Sequence, residues 1–263
     1  MRSIIHRLLA VLLLASPLSA AGAPARAPLR VLAAGATQST LRGVVGEFEK
    51  QTGLHLQLTY GGVGKLRDRV VAGEPADVLI VTPAIIEQMQ EKKLVLPDSR
   101  VDLGQVGGGI AVRVGAPRPA VGSPDELRRA LLDAEEIYCT DPATTTSGAY
   151  LLSVADRLGI GAAVRKKAHT APDGKVAMQR LARSHARAIG VTQESEILAV
   201  KGVVLVGPYP APLQKTTIYS GVVVSAASQP DGARAFLRFL VSPPVQARFR
   251  KAGFEAAEGP PAR

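Results

Sequence analysis

The sequence predicts an α/β protein of two lobes, each an open, mostly parallel sheet flanked by helices, with two strands crossing between them. Three observations carry this. Short apolar runs alternate with segments of helical period, the signature of successive strand–helix units. Strand-to-helix turns at 35–40, 60–65, 141–150 and 192–196 are rich in glycine, hydroxyls or other polar residues. Two extended runs, 107–114 and 216–224, read as the crossings.

Arg2 and Arg7 flank the start of an apolar run, Leu8 to Ala15, and Ala21-Gly22-Ala23 offers a small-x-small cleavage site. Residues 1–23 therefore read as a signal peptide, too short for a membrane span. The mature chain is expected to be exported, with no membrane insertion and, lacking a cysteine after the apolar run, no lipid anchor. About 240 residues remain, enough for two proper cores. Lobe one is expected to comprise 28–108 with 219–263, and lobe two 109–218. Cys139 is the only cysteine, so no internal disulfide can form, and its apolar strand makes it a small buried hydrophobe. The chain is formally +10 and stays basic without Arg2 and Arg7. With no nucleic-acid motif, that balance fits attraction of a small anion or simple solvated charge.

Leu29 to Ala34 reads as a buried strand, followed by a helix with Leu41, Val44, Val45 and Phe48 on one face and Gly53 as its stop. Leu54, Leu56 and Leu58 alternate with His55 and Gln57, a half-buried strand with an ordinary surface histidine. Gly61, Gly62 and Gly64 allow close backbone approach at the next turn, where Lys65 sits near the mouth. The spacing is not a phosphate-binding loop of the nucleotide-binding type. Glu74-Pro75-Ala76-Asp77 breaks the chain, Val78 to Val81 is a parallel-sheet strand, and Pro83 opens a helix.

Ser123-Pro124-Asp125-Glu126 is a capping box ahead of a helix through Leu127 and Leu131. Ile137 to Thr140 is a strand, and Asp141 to Tyr150 then leads into a helix through Leu151 and Val154. Two readings of that turn stand together. Thr144, Thr145, Thr146 and Ser147 cap their own helix, or the free N–H groups and hydroxyls hold an anion. Residues 173–183 form a basic amphipathic helix, and 188–191 a short strand that ends in the polar turn Thr192 to Glu196. Val203 to Val206 is a further strand, and the closing helices carry Phe236, Leu237, Leu240 and Phe249.

Over nearly the whole mature chain, Leu29 to about Phe254, the sequence resembles periplasmic substrate-binding proteins of ABC importers, of the molybdate-binding, ModA-like type. The likeness is carried by Ser39-Thr40-Leu41, Phe48-Glu49-Lys50-Gln51-Thr52-Gly53, Tyr60-Gly61-Gly62-Val63-Gly64, Gly73-Glu74-Pro75-Ala76-Asp77-Val78 and the stretch 235–243. It implies the type II periplasmic-binding fold, lobes closing like a hinged clamp on a small anionic ligand, periplasmic localisation, a monomer, and delivery to an ABC permease driven by its ATPase. No cofactor and no metal are implied. The family's site takes a hydroxyl from each of the first two turns and a tyrosine from the second lobe. Here those positions fall on Ala36, Val63 and Gln193, so the sequence reads as a divergent branch of the family. The resemblance places ligand among Ala36, Thr37, Ser39, Gly62, Val63, Gly64, Thr145, Thr146, Ser147 and Gln193, with Tyr219 near the hinge. A molybdate- or tungstate-like oxyanion is the family ligand; a small organic carboxylate is the alternative, with Lys65 or Arg67 as a partner or as solvated charge.

No catalytic motif for hydrolysis, metal chemistry or disulfide exchange is present, so no enzyme is expected and no catalytic residue assigned. Asp141 and Glu196 form a carboxylate pair only if the fold brings them together. A ligand-presenting partner of a membrane sensor is the remaining alternative.

Overall fold

The computed structural model describes residues 27–257. The segment expected to be a signal peptide lies outside them. Leu29–Ala34 (β1) pairs in parallel with Leu56–Gly61 (β2) on one side and Val78–Val81 (β3) on the other. Val78–Val81 consists of four fully buried apolar residues, as a strand covered on both faces requires. The helices Gln38–Thr52 (α1), Val63–Val71 (α2) and Pro83–Glu91 (α3) follow these strands in turn. Gly53, with φ of 70°, ends α1 in the left-handed conformation that favours glycine.

The long strand Val101–Arg113 (β4) joins the halves. Its first half pairs antiparallel with Thr216–Val223 (β9), from Val101 to Gly107. Its second half pairs with Ala188–Gln193 (β7) and Val203–Pro208 (β8). The strand thus begins before the glycine run at which the sequence placed the crossing. Beyond β7 lie Glu136–Thr140 (β5) and Ala168–Ala171 (β6), both parallel, giving the order β2-β1-β3-β9-β4-β7-β5-β6 with β8 also on β4.

Around these strands pack Pro124–Asp133 (α4), Thr146–Arg157 (α5), Gly161–Lys167 (α6), Gly174–Arg183 (α7), Glu194–Leu198 (α8), Pro230–Leu240 (α9) and Pro243–Lys251 (α10). One hydrophobic cluster draws on Leu29 to Val106 and Tyr219 to Phe254, centred on Phe48 and Phe236, whose rings meet edge-on at 5.0 Å. The remaining clusters draw on Ile110 to Leu213 and share no residue with the first. Each lobe therefore has its own core.

Candidate functional site

The turns that leave β1, β2, β5, β6 and β7 converge on the seam between the lobes, where α1, α2, α5, α7 and α8 begin. In open α/β sheets this edge, the carboxyl ends of the strands, is where helix N-termini present unpaired N–H groups to a ligand. Thr145 caps α5 by accepting the Gly148 N–H at 3.2 Å, and Asp173 caps α7 by accepting the Val176 N–H at 2.8 Å. Gly62, which opens α2, supplies no side-chain cap, and its N-terminal turn faces lobe two directly. Across the seam the Gly64 N–H donates to the Thr144 carbonyl at 3.0 Å.

Glu196 lies in this seam. It is buried, and its Oε1 accepts the Gly174 N–H at 3.1 Å while Oε2 accepts the Thr192 hydroxyl at 2.5 Å. Two glycines make room for it. A methyl group on Gly174 would fall 2.1 Å from Oε2, and one on Gly35, from the facing lobe, 2.8 Å from Oε1. Among the described residues no lysine, arginine or histidine pairs with Glu196. Burial, with a smaller push from the charge of Asp173, raises its carboxyl to about 7, although the Thr192 and Gly174 bonds pull the other way.

A chain of hydroxyls runs from this carboxyl. The Thr192 hydroxyl lies 3.4 Å from that of Ser147, which is 2.8 Å from that of Thr140, which accepts from Thr145 at 2.6 Å. Gln193 donates through Nε2 to Thr217 at 3.1 Å and to the Tyr219 hydroxyl at 3.3 Å, tying the β7–α8 turn to β9. Burial holds the Tyr219 hydroxyl protonated, far above the usual tyrosine range. The inner chamber bounded by Gly35, Ala36, Gly62, Val63, Thr146 and Glu196 holds about 20 Å³, room for a water.

A larger cavity of about 370 Å³ adjoins it and shares Thr146 and Ser147 with the chamber. Its walls include Pro83, Tyr150, Tyr209 and Ile218, and Lys215 stands at its edge, 5.7 Å from the Tyr150 ring centre. Tyr209 and Gln193 both line this cavity, and the Tyr209 hydroxyl and Gln193 Oε1 are buried without a hydrogen-bond partner.

Of the residues expected from sequence, Ala36, Gly62, Val63, Thr145, Thr146, Ser147 and Tyr219 line the inner chamber, and Gln193 lines the larger cavity. Gly64 is spent on its bond to Thr144. Thr37 is fully buried and donates to the Ala34 carbonyl at 2.8 Å, so its hydroxyl secures its own turn. Ser39 is exposed, in a separate pocket with Arg42, Lys175 and Glu196. Lys65 is exposed and Arg67 pairs with Asp68 at 2.7 Å. Asp141 is bonded to the Ala143 N–H, and the carboxylate that neighbours Glu196 is Asp173. Cys139 is buried in β5, its thiol raised to about 11, as an inert apolar residue should be. Sequence reasoning did not place Gly35, Thr140, Tyr150, Asp173, Gly174, Thr192, Glu196, Tyr209 or Lys215 at the site. For Glu196 the signal was its position in a polar strand-to-helix turn like those assigned to ligand.

The family model described as bacterial extracellular solute-binding protein matches residues 29–255. The chain is 34% identical over 259 residues to an aconitate isomerase from Pseudomonas sp, covering 96% of this chain and 97% of that one. It is 24% identical over 232 residues to the molybdate-binding protein ModA of Escherichia coli K12, covering 86% and 88% of the two chains. The periplasmic molybdate-binding protein of Azotobacter vinelandii superimposes with a TM-score of 0.72 at 20% identity, over 88% of this chain and all of that one.

Proposed function

The chain belongs to the bacterial extracellular solute-binding proteins, and from that premise we propose that it captures a small organic polycarboxylate between its lobes and delivers it to an ABC permease and its ATPase. Export to the periplasm, by the leader at 1–23, belongs to the same reading. So does the division of the chain at 108/109 and 218/219, which puts the hinge where β4 passes from β9 to β7 and β8. Ligand contacts run through Ala36, Gly62, Val63, Thr145, Thr146, Ser147, Gln193 and Tyr219, with Gly64 holding the lobes closed.

One observation carries the choice of ligand: a cavity of about 370 Å³, apolar on its walls and hydroxyl-lined on its floor, with Lys215 at the edge. A tetrahedral oxyanion leaves most of that space empty, whereas a carbon skeleton covers Pro83, Tyr150 and Ile218 and reaches Lys215 with a second carboxylate. The inner chamber also argues against a dianionic oxyanion. Its Gly174 N–H and Thr192 hydroxyl already serve the protein's own carboxyl, so neither is free to hold a tetrahedral anion there. The relative named for aconitate makes unsaturated tricarboxylates the first compounds to try.

The test is calorimetric titration of protein refolded free of ligand, with trans-aconitate, citrate and succinate against molybdate and sulfate. Heat from a tricarboxylate and none from molybdate supports the reading. Tight molybdate binding with silence from every carboxylate overturns it. Hydrolysis has no support in the sequence; proton transfer on a bound ligand is a different matter, because it needs only a well-placed carboxyl.

A further inference from the structure

We infer that Glu196 is the acid–base group of an allylic proton transfer, so that the chain isomerises an unsaturated polycarboxylate held in its cleft. This rests on the polycarboxylate reading of the same cavity. A ligand lying in the larger cavity, across Thr146 and Ser147, presents one end to the inner chamber that Glu196 closes.

The carboxyl is placed as such a group should be. The Gly174 N–H holds one oxygen and the Thr192 hydroxyl the other, so its orientation is fixed before ligand arrives. No cation pairs with it among the described residues, which costs stability but leaves the proton exchangeable near neutral pH. Burial brings the group to about 7, where a carboxyl accepts and returns a proton with comparable ease. The other titratable groups around it are Asp173 from the cap of α7, Tyr219 from β9, and Arg42 and Lys175, which share a pocket with it. A role confined to structure is poorly served by a buried, unpaired carboxylate for which two glycines, one on each lobe, must be kept clear.

The chemistry balances within the ligand. A tricarboxylate with one carbon–carbon double bond has a methylene beside that bond, acidified by its own carboxylate. Glu196 takes a methylene proton, and the C–H electron pair spreads over the three-carbon allyl unit and its carboxylates. The Glu196 carboxyl then returns a proton to the far alkene carbon. One C–H bond breaks, one forms, and the double bond moves by one carbon with new geometry. No oxidant or co-reactant is needed. The negative charge that develops on the carboxylates meets helix N-termini and the Lys215 ammonium.

The experiment follows trans-aconitate by proton NMR in D2O with the full mature protein, alongside calorimetric binding. Conversion to the cis isomer, with deuterium entering the positions that exchange, is the expected result. Glu196→Gln should reduce the rate at least a hundredfold while the dissociation constant changes only a few-fold. Thr192→Val removes a bond that favours the ionised carboxyl, so the rise of rate with pH should move to higher pH. Binding by the wild type without isomerisation or exchange overturns this inference and leaves the solute-binding reading intact. Wild-type turnover that survives in Glu196→Gln also overturns it, as does an unmoved pH profile in Thr192→Val. Absence of carboxylate binding overturns both readings together.

Discussion

The Gly64 N–H and the Thr144 carbonyl, 3.0 Å apart, form a backbone hydrogen bond directly between the lobes. One belongs to the first turn of α2 and the other to the loop before α5, so the two glycine- and hydroxyl-rich turns meet face to face. The two lobes are therefore in direct contact at this edge of the cleft. Beside this bond, a methyl group on Gly62 would fall 2.6 Å from the same Thr144 oxygen and 2.8 Å from the Thr145 methyl.

Gly62→Ala should therefore block closure and leave folding alone. Residue 62 has φ of −65°, which alanine adopts freely, and the atoms it would meet all lie on the other lobe. When the binding-competent form becomes rare, apparent affinity falls by the same fraction. We expect ligand binding weakened at least about tenfold, with the melting temperature of the unliganded protein nearly unchanged. Gly64→Ala, where the nearest oxygen would be 3.3 Å away, should show a milder loss. Small-angle scattering with and without ligand, plus calorimetry, checks both.

Lys215→Met should separate ligands by charge. The ammonium is exposed at the cavity edge, so solvent screens its contribution and the loss should be modest, roughly tenfold for a tricarboxylate. A monocarboxylate bound through the hydroxyl floor should be nearly unaffected. Equal losses for both would remove Lys215 from the ligand's second carboxylate.

Asp77→Ala should be costly to stability and neutral to ligand choice. The Asp77 side chain is buried; Oδ1 accepts from the Ser228 N–H at 2.7 Å, the Ser228 hydroxyl at 2.9 Å and the Gln229 N–H at 3.1 Å. Oδ2 accepts the Arg30 N–H at 2.8 Å, so one carboxylate clasps β1, the start of β3 and the approach to α9. Stranding those donors should cost about 3 kcal/mol. For a chain of this size that lowers the melting temperature by roughly 9 °C, readable by calorimetric scanning.

The alternation of strands and helices was legible because apolar periodicity is a local signal, and so were the turns that carry Gly62, Thr145 and Thr146. What was not legible depends on contacts distant in sequence. Asp77 reads locally as a chain break, and only the return of Ser228 and Gln229 makes it a clasp. The glycine run at 107–109 reads as the start of the crossing strand. In the fold β4 begins at Val101, and the glycines admit neighbours: a methyl on Gly108 would fall 2.6 Å from the Tyr209 ring. The strand Ala168–Ala171 gave no signal, since Ala-His-Thr-Ala has no apolar run and its middle two residues are exposed at the sheet edge. Glu196 reads in the sequence only as half of a carboxylate pair with Asp141, in a polar turn. Its burial comes from Gly174 on one side and Gly35 of the other lobe, neither of which periodicity can place beside it.

That burial gives Glu196 a measurable signature in stability against pH. Its carboxyl titrates at about 7 in the folded chain against an ordinary value of 4.5, because burial penalises the charged form. Between those two values the folded state holds a proton that the unfolded state has released. Stability therefore falls as pH rises through this window, and the penalty is fully present above the folded value. The difference corresponds to about 3.5 kcal/mol at most, since a shift of one unit is worth ~1.4 kcal/mol. Glu196→Gln keeps the shape, removes the ionisation and should abolish this slope, leaving the variant more stable than wild type at pH 8 and little different at pH 4.5. Thermal melts of both proteins across pH 4.5–8.5 decide it. Parallel curves for the two would mean that Glu196 is already ionised where the fold buries it, held by solvent or by a cation reached on opening of the lobes.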